Sequence, residues 1–113
     1  MTLDGKIGSL SSRVVQVVDH GHPPVIRTGL IKQNQGQWEP GTILTRDAGE
    51  LAPWDGTGDP VGVLIDHCDS TSQASANYLR HGQVVQAVLK KADGSAPTET
   101  EILSLDKATI FGV

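Results

Sequence analysis

Short apolar runs, rich in β-branched residues, alternate with polar turns along the chain. No segment keeps an apolar repeat of 3.6 residues over a helical length, so the pattern favours strands. The predicted strands are residues 13–19, 25–32, 42–46, 61–65, 74–79, 83–91, 101–105 and 108–113. Strand-sized runs in this order predict an all-β fold, either a barrel or a clip.

Gly, Pro and Asp separate these runs. Two consecutive prolines, Pro23 and Pro24, end the first run because each one removes a backbone donor. Gly29, in the middle of the second run, predicts a bulge or a close approach of another segment. Further turns are predicted at residues 38–41, 47–50, 81–82 and 93–94.

The stretch Leu51–Asp66, LAPWDGTGDPVGVLID, is the most structured part of the pattern. Trp54 precedes a tight Gly-rich turn, and a strand over Val61–Ile65 follows it. Because a Trp buries a large area, we expect Trp54 in the core or at a subunit interface, with Val61–Ile65 as the central strand. Trp38 has polar neighbours and is predicted to be an exposed or interface aromatic.

The first twelve residues are small and polar, with Leu3, Ile7 and Leu10 as their larger apolar side chains. Such a segment cannot form a core of its own. It is either a frayed terminus or an arm that becomes ordered on a partner, and we favour the arm.

The composition narrows the classes of function. The chain has 113 residues, which indicates one domain, and its formal net charge is −4. Its nine basic residues are scattered, which argues against nucleic acid as a partner. No apolar run is long enough for a bilayer and no signal peptide is expected. Cys68 is the single cysteine, so no internal disulfide can form, and a reducing cytoplasm is expected.

Metal binding has one weak candidate group. His20, His22, His67 and Cys68, with His81 as a further member, are residue types that bind zinc. They lack the CxxC or HExxH spacing that marks established zinc sites. Surface histidines and a buried thiol are the favoured explanation, so we predict neither a metal nor another cofactor.

No catalytic constellation is recognisable. The series Asp55-x-Thr57-x-Asp59 lacks the closing glutamate of a calcium loop. Gly56 and Gly58 are not followed by a predicted helix, so they do not form a phosphate loop. There is no G-x-S-x-G nucleophile motif. The chain is therefore predicted not to be an enzyme.

One motif nevertheless points to a family. Leu51-x-x-Trp54-Asp55-Gly56-Thr57, followed after a short spacer by Val61-Gly62-Val63-Leu64, resembles the head decoration (capsid-cementing) proteins of lambda-like tailed phages. Segments 40–44 and 108–113 lie where similar segments lie in that family. The resemblance covers residues 29–113, whereas residues 13–28 do not match the family pattern.

The resemblance implies a small β-clip or partly open barrel-like domain that forms a homotrimer. Such trimers bind the outer surface of the expanded head, cement the lattice of the major capsid protein and require no cofactor. The resemblance also implies location in the virion, with the host cytoplasm as the place of assembly. Neither a nucleic acid nor a membrane is expected as a partner.

These arguments divide the chain into an N-terminal arm, residues 1–28, and a decoration domain, residues 29–113. Residues 13–28 either augment a sheet of the capsid protein or pack on the trimer itself. The residues predicted for the capsid-binding arm are Thr2, Leu3, Ile7, Leu10, Val14, Val15 and Val17. Those predicted for the trimer core or interface are Trp54, Val61, Val63 and Trp38.

Two other readings remain open. A stand-alone β-barrel module could bind carbohydrate or peptide with an exposed Trp38 as its platform. A small metal-dependent enzyme would instead use His20, His22, His67 and Cys68.

Overall fold

The computed structural model describes residues 17–19 and 24–113 of the chain. Within these ranges strands predominate, accompanied by one α-helix, α1 (Glu99–Lys107), and a single 3-10 turn (Gln86–Val88). The strands are β1 (Val18–Asp19), β2 (Val25–Leu30), β3 (Gln37–Trp38), β4 (Ile43–Asp47), β5 (Glu50–Pro53), β6 (Pro60–Leu64), β7 (Cys68–Asp69), β8 (Ser75–Val84) and β9 (Ile110–Gly112). The all-β prediction is confirmed.

The ten-residue strand β8 organises the main sheet. It pairs with β1, β2 and β6 in the antiparallel sense and with β9 in the parallel sense. Both β2 and β6 pair with Tyr78 and Leu79, so these two strands lie on opposite edges of β8. The sheet continues from β6 through β4 to β5, while β3 and β7 form a separate ribbon. The predicted strand at residues 61–65 is thus confirmed as a central strand, β6.

The sheet curls but does not close. Ile31 and Leu51 form one parallel bridge, and the Lys32 N–H donates to the Leu51 carbonyl at 2.8 Å. This bridge brings the end of β2 to β5, and no continuous ladder joins the two strands in the described part of the chain. The geometry agrees with the predicted partly open, barrel-like domain.

Two hydrophobic clusters form, and neighbouring residues of one strand contribute to different clusters. Ile43 and Val63 belong to the first, together with Trp54. Leu44 and Leu64, each one position further on, belong to the second. Because successive side chains of a strand point to opposite faces, the adjacent apolar pairs Ile43-Leu44 of β4 and Val63-Leu64 of β6 supply both clusters. This explains the missing alternation in their sequences.

The predicted boundary between residues 28 and 29 can be compared with the positions of β1 and β2. That boundary falls inside β2, which pairs with β8 along its length, with one register shift between Val25 and Ile26. Val17 and Val18 are buried in the first cluster. Val17, predicted for the capsid-binding arm, therefore lies in the body because its side chain fills the core. Residues 1–16 lie outside the described residues.

The predicted strand at residues 101–105 is wrong, because this segment belongs to α1. Thr98 caps the helix: its hydroxyl accepts from the Glu101 N–H at 3.3 Å, while the Glu101 carboxylate accepts from the Thr98 N–H at 2.7 Å. This reciprocal capping box satisfies donors that a helix start leaves unpaired. Leu105 is the buried residue of the helix. The local capping signal outweighed the short apolar run.

Two further predictions around β8 are wrong. His81 and Gly82 do not form a turn, since β8 continues through them with Gly82 at a φ of 139°. The predicted strand 83–91 ends at Val84, and the 3-10 turn follows. The predicted turn at residues 47–50 is confirmed: Ala48 and Gly49 both have positive φ and join β4 to β5 as a two-residue hairpin loop.

Candidate functional site

The Trp54 side chain is buried and its polar atom is satisfied within the chain. Its relative exposure is 1%, and its indole N–H donates to the carbonyls of Thr57 at 2.9 Å and Gly58 at 3.2 Å. Its backbone N–H donates to Ile43, and its carbonyl accepts from Ala92. Trp54 therefore joins the turn to β4 and to the segment before α1, and its ring presents no platform for a ligand.

Asp55 shapes the turn through Thr57. One oxygen of its carboxylate accepts from the Thr57 N–H at 2.9 Å and from the Thr57 hydroxyl at 2.7 Å. These bonds hold the pKa of Asp55 below its usual range. The same turn recurs at Asp69–Thr71 and at Asp93–Ser95. Asp55 thus has the role of a turn-forming residue that two other loops repeat.

Gly56 lets this turn pack against the start of α1. Its φ is +97°, and a Cβ built there would overlap the carboxylate of Glu101. Glu101 also pairs with Lys91 at 3.2 Å, with both side chains mostly buried. The hydrogen bond that the Glu101 carboxylate accepts from the Thr98 N–H holds the pKa of Glu101 below its usual range. The turn, the helix cap and the ion pair form one connected unit.

Gly62 is required by the packing of Tyr78. A Cβ at Gly62 would overlap the Tyr78 ring and lie 2.7 Å from the Leu79 carbonyl oxygen. The Tyr78 hydroxyl accepts from the Arg46 guanidinium at 3.3 Å. The glycine thus permits the close approach of β6 and β8. Structural roles in the WDGT-x(3)-VG motif are therefore assigned to Trp54, Asp55, Gly56 and Gly62.

Most of the residues predicted for the trimer core or interface are buried in the core of a single chain. Trp54 and Val63 lie in the first cluster, and Trp38 lies in the second at 3% exposure. Val61 is half-buried and packs beside the second cluster. The expectation of an exposed Trp38 is wrong, because its side chain is buried in the second cluster together with Cys68 of β7. The carbohydrate-binding reading loses its proposed platform.

The candidate metal ligands are not gathered where the structure describes them. The His67 ring lies 3.0 Å from the Gln37 amide oxygen and 3.5 Å from a Glu39 carboxylate oxygen. Cys68, the next residue, is fully buried, and burial raises the pKa of its thiol. Across residues 17–19 and 24–113, no group of three or more His, Cys, Asp and Glu could hold a metal ion. His20 and His22 lie outside the described residues.

Several large apolar side chains are exposed on β2. Val25, Ile26 and Leu30 are 40%, 51% and 65% exposed, and we call these three side chains the β2 edge. Within the described residues β8 is the strand that pairs with β2. Natural edge strands are normally protected by lysines, prolines or a covering element. Arg27 is the one charged residue of β2, so this edge has the character of an interaction surface.

Sequence reasoning identified β2 as a strand but missed its exposure. The sequence does contain a signal of this exposure. Val25 and Ile26 are adjacent, so an extended strand directs one apolar side chain to each of its faces. The strand also ends in a third large apolar residue, Leu30. Which side is covered depends on the rest of the sheet.

The decisive comparison is with a family of phage proteins. The family model described as bacteriophage lambda head decoration protein D matches residues 18–108. The chain belongs to this family. The match begins at Val18 and so includes β1 and the first four residues of β2, which the resemblance drawn from the motif does not cover. No individual curated protein matches the chain.

Membership of this family gives the chain a capsid-decorating, structural role in the virion. The family predicted from the motif is confirmed. The one α-helix of the described chain, α1, is too short and too polar to cross a membrane.

Proposed function

We propose that this protein binds the outer surface of the expanded phage head as a homotrimer and cements the lattice of the major capsid protein. The observation that carries the proposal is the family match over residues 18–108, which extends from β1 through α1. The structure adds a body in which Trp54 and Gly62 of the motif are buried, together with an exposed apolar surface, the β2 edge.

Cementing has a simple thermodynamic basis. A protein that binds the assembled lattice and not its dissociated subunits stabilises the lattice by mass action. A trimer raises the effective concentration of its second and third contacts after the first has formed, so three weak contacts give one strong attachment. No catalytic group or cofactor is required for this activity.

The capsid-binding contact is assigned to the arm. Thr2, Leu3, Ile7 and Leu10 precede the described body, and a polar segment with spaced apolar residues can become ordered on a partner surface. Val17 is excluded from this contact because it is buried in the core of its own chain.

The subunit contact is assigned to the β2 edge, with a second copy of this chain as the occupant. Permanent subunit interfaces are more apolar than transient ones, and Val25, Ile26 and Leu30 are apolar and exposed in the single chain. A cyclic trimer uses a heterologous interface, so the β2 edge meets a different surface of the next subunit. This contact is supported from within the body by three buried side chains, those of Trp54, Val63 and Trp38. Val61 lies at the surface of the body.

The direct test mixes the purified protein with expanded, undecorated heads and sediments the heads. We expect saturable co-sedimentation, and a mass in solution of three chains. The absence of co-sedimentation would exclude the proposed function.

The arm is tested in the same assay. The variant Leu3→Asp/Ile7→Asp/Leu10→Asp should bind heads at least about tenfold more weakly, because charges disrupt an apolar contact that three arms multiply. The matched control is Ser9→Ala/Ser11→Ala/Ser12→Ala in the same segment, which should bind like the wild type. Equal binding by the two variants would remove the arm from the contact.

A further inference from the structure

The backbone of β2 has hydrogen-bonding groups on two sides, and β8 uses one of them. Immediately after β2, the Ile31 N–H donates to the Ala74 carbonyl at 3.1 Å. In an antiparallel pair, positions that bond to the partner strand alternate with positions whose N–H and C=O groups point away from it. Counting back from Ile31, the backbone groups of Gly29 and Arg27 therefore face β8.

The alternate positions, Ile26, Thr28 and Leu30, direct their N–H groups away from β8. The Lys32 N–H continues this series, and it donates to the Leu51 carbonyl of β5 at 2.8 Å. No residue in the part of the chain that the structure describes accepts from the other three N–H groups. The outer side of β2 therefore has three unpaired donors spaced two residues apart.

The neighbouring strand β5 does not reach these donors. Ile31 and Leu51 form a parallel bridge, so moving back along β2 corresponds to moving back along β5. However, β5 begins at Glu50, one residue before the bridge, and is preceded there by the hairpin loop. Residues 25–29 of β2 therefore extend past the start of β5.

The unpaired backbone suits an extended segment as its partner. N–H groups two residues apart lie about 7 Å apart along a strand, which is the spacing at which an added strand presents its own carbonyls. A loop or a helix cannot match this repeat along the strand. The partner is therefore a segment of β conformation.

The side chains of β2 favour a second copy of this chain as the source of that segment. Ile26 and Leu30 are more than half exposed, and permanent subunit interfaces are the more apolar class. Arg27 is exposed and is the one charged residue of β2. The whole chain has 13 acidic and nine basic residues, so a second copy is acidic on average and complements Arg27.

We propose that an extended segment of a second copy adds to β2 and accepts hydrogen bonds from the N–H groups of Ile26, Thr28 and Leu30. This inference rests on the proposed function, because it specifies how the subunits of the trimer are joined. Pairing of β2 with the β2 of another copy would close a two-fold dimer, so the added segment lies elsewhere in the chain. Main-chain bonds then accompany the apolar contact at each of the three interfaces.

A proline in the middle of β2 tests the backbone pairing. Thr28→Pro removes an outward N–H and leaves the bonds to β8 in place, a position at which edge strands tolerate proline. The preceding residue is already extended, as proline requires. The matched control is Thr28→Ala, which keeps the N–H and, like the proline variant, loses the hydroxyl bond to Asn77.

We expect Thr28→Pro to weaken trimer formation at least about tenfold relative to Thr28→Ala, since each of three contacts loses a hydrogen bond. Sedimentation equilibrium measures the association, and circular dichroism shows whether both variants are folded. Equal association of the two folded variants would overturn the proposal.

Hydrogen exchange in the wild-type trimer tests the same pairing without a substitution. The amides of Ile26, Thr28 and Leu30 should be protected as well as those of Arg27 and Gly29, which face β8 and serve as the internal control. An alternating pattern, with the first three exchanging at least about tenfold faster, would contradict the proposal.

The remaining outcomes separate this inference from the proposed function. If the trimer forms and the three outward amides exchange rapidly, the inference fails and the trimer stands. If these amides become protected only when expanded heads are added, the capsid protein supplies the strand and the inference fails. If the wild type is a single chain at every concentration, the inference and the homotrimer fail together, while head binding is still measured by co-sedimentation.

Discussion

The Trp54 turn and the β2 edge adjoin the same sheet but differ in how far their apolar side chains are buried. Trp54 is 1% exposed, its indole N–H has two acceptors, and the neighbouring Gly56 abuts the cap of α1. Ile26 and Leu30 on β2 are more than half exposed. The first region is saturated by contacts within its own chain, whereas the second has apolar area to offer a partner.

The residues that identify the family are therefore different from the residues that we propose bind a partner. The motif that reveals the family describes how β5 and β6 are joined and packed, so it is recognisable because packing tolerates few alternatives. The β2 edge carries no distinctive residues, since an apolar contact needs area and shape more than particular side chains. The following changes test this separation, in order of their expected effect on the stability of the fold.

Trp54→Ala should have the largest effect on stability. It removes the largest fully buried side chain and leaves a cavity in the first cluster, which costs about 3–5 kcal/mol of unfolding free energy. Urea unfolding followed by circular dichroism measures the loss. Leu103→Ala, at an exposed position of α1, is the control and should change little. A similar unfolding midpoint for the two variants would mean that the turn is not a core element.

Gly62→Ala should rank second. The added methyl group overlaps the Tyr78 ring and the backbone of β8, and overpacking of this kind costs about 1–3 kcal/mol. The matched control is Gly112→Ala, where the nearest atom is the flexible end of Gln86 at 3.1 Å. Equal losses in urea unfolding would show that the approach of β6 to β8 is not the reason for this glycine.

Asp55→Ala should have a smaller effect that depends on pH. The two bonds from Thr57 lower the pKa of Asp55 in the folded state. The carboxylate therefore stabilises the fold above its unfolded pKa, and this contribution is lost as the pH falls through the lower, folded pKa. The difference in melting temperature from the wild type should be present at pH 7 and shrink below about pH 4.

The matched control for that series is Asp59→Ala, which removes a carboxylate from the same loop. Its melting temperature should follow the wild type across the pH range. A difference for Asp55→Ala that stayed constant down to pH 2.5 would rule out the carboxylate bonds as its origin.

Ile26→Asp/Leu30→Asp should have the smallest effect on the fold of one chain and a decisive one on assembly. Exposed substitutions usually change stability by within about 0.5 kcal/mol, yet two charges on the β2 edge would enter the proposed apolar subunit contact. Sedimentation equilibrium should show single chains for the double variant, whereas the proposal expects trimers for the wild type. Leu103→Asp, on α1, is the control and should remain trimeric.

The outcome also distinguishes the two candidate partners of β2. If the double variant stays trimeric but loses head binding, the β2 edge contacts the capsid protein instead of a second subunit. If trimer formation and head binding both persist, the β2 edge is not an interaction surface.

Local chemistry predicted the parts of the fold in which neighbouring residues decide the structure. The turn at 47–50 follows from Gly49, a residue that accepts positive φ, and the burial of Trp54 follows from its size and the adjacent strand. The helix α1 contradicts the strand predicted at residues 101–105, although its signal lies in the sequence. Thr98 and Glu101 form a capping box, which decides the local structure more strongly than a short apolar run does.

Other features could not be read from neighbouring residues. Trp38 has polar neighbours in sequence and apolar neighbours in space, so its burial depends on the ribbon of β3 and β7. The strand β8 passes through His81 and Gly82 because the strands paired on either side of it hold the backbone extended. Long-range pairing supplied what local propensity did not.

The sequence by itself determined the all-β class, the Trp54 turn and the family, because each rests on residues close together in the chain. Only the tertiary structure decided that β1 and β2 belong to the body, that the motif is a packing unit and that the β2 edge is exposed. The physical reason is the period of two along a strand: it specifies which residues share a face, while the pairing of distant strands decides which face is covered.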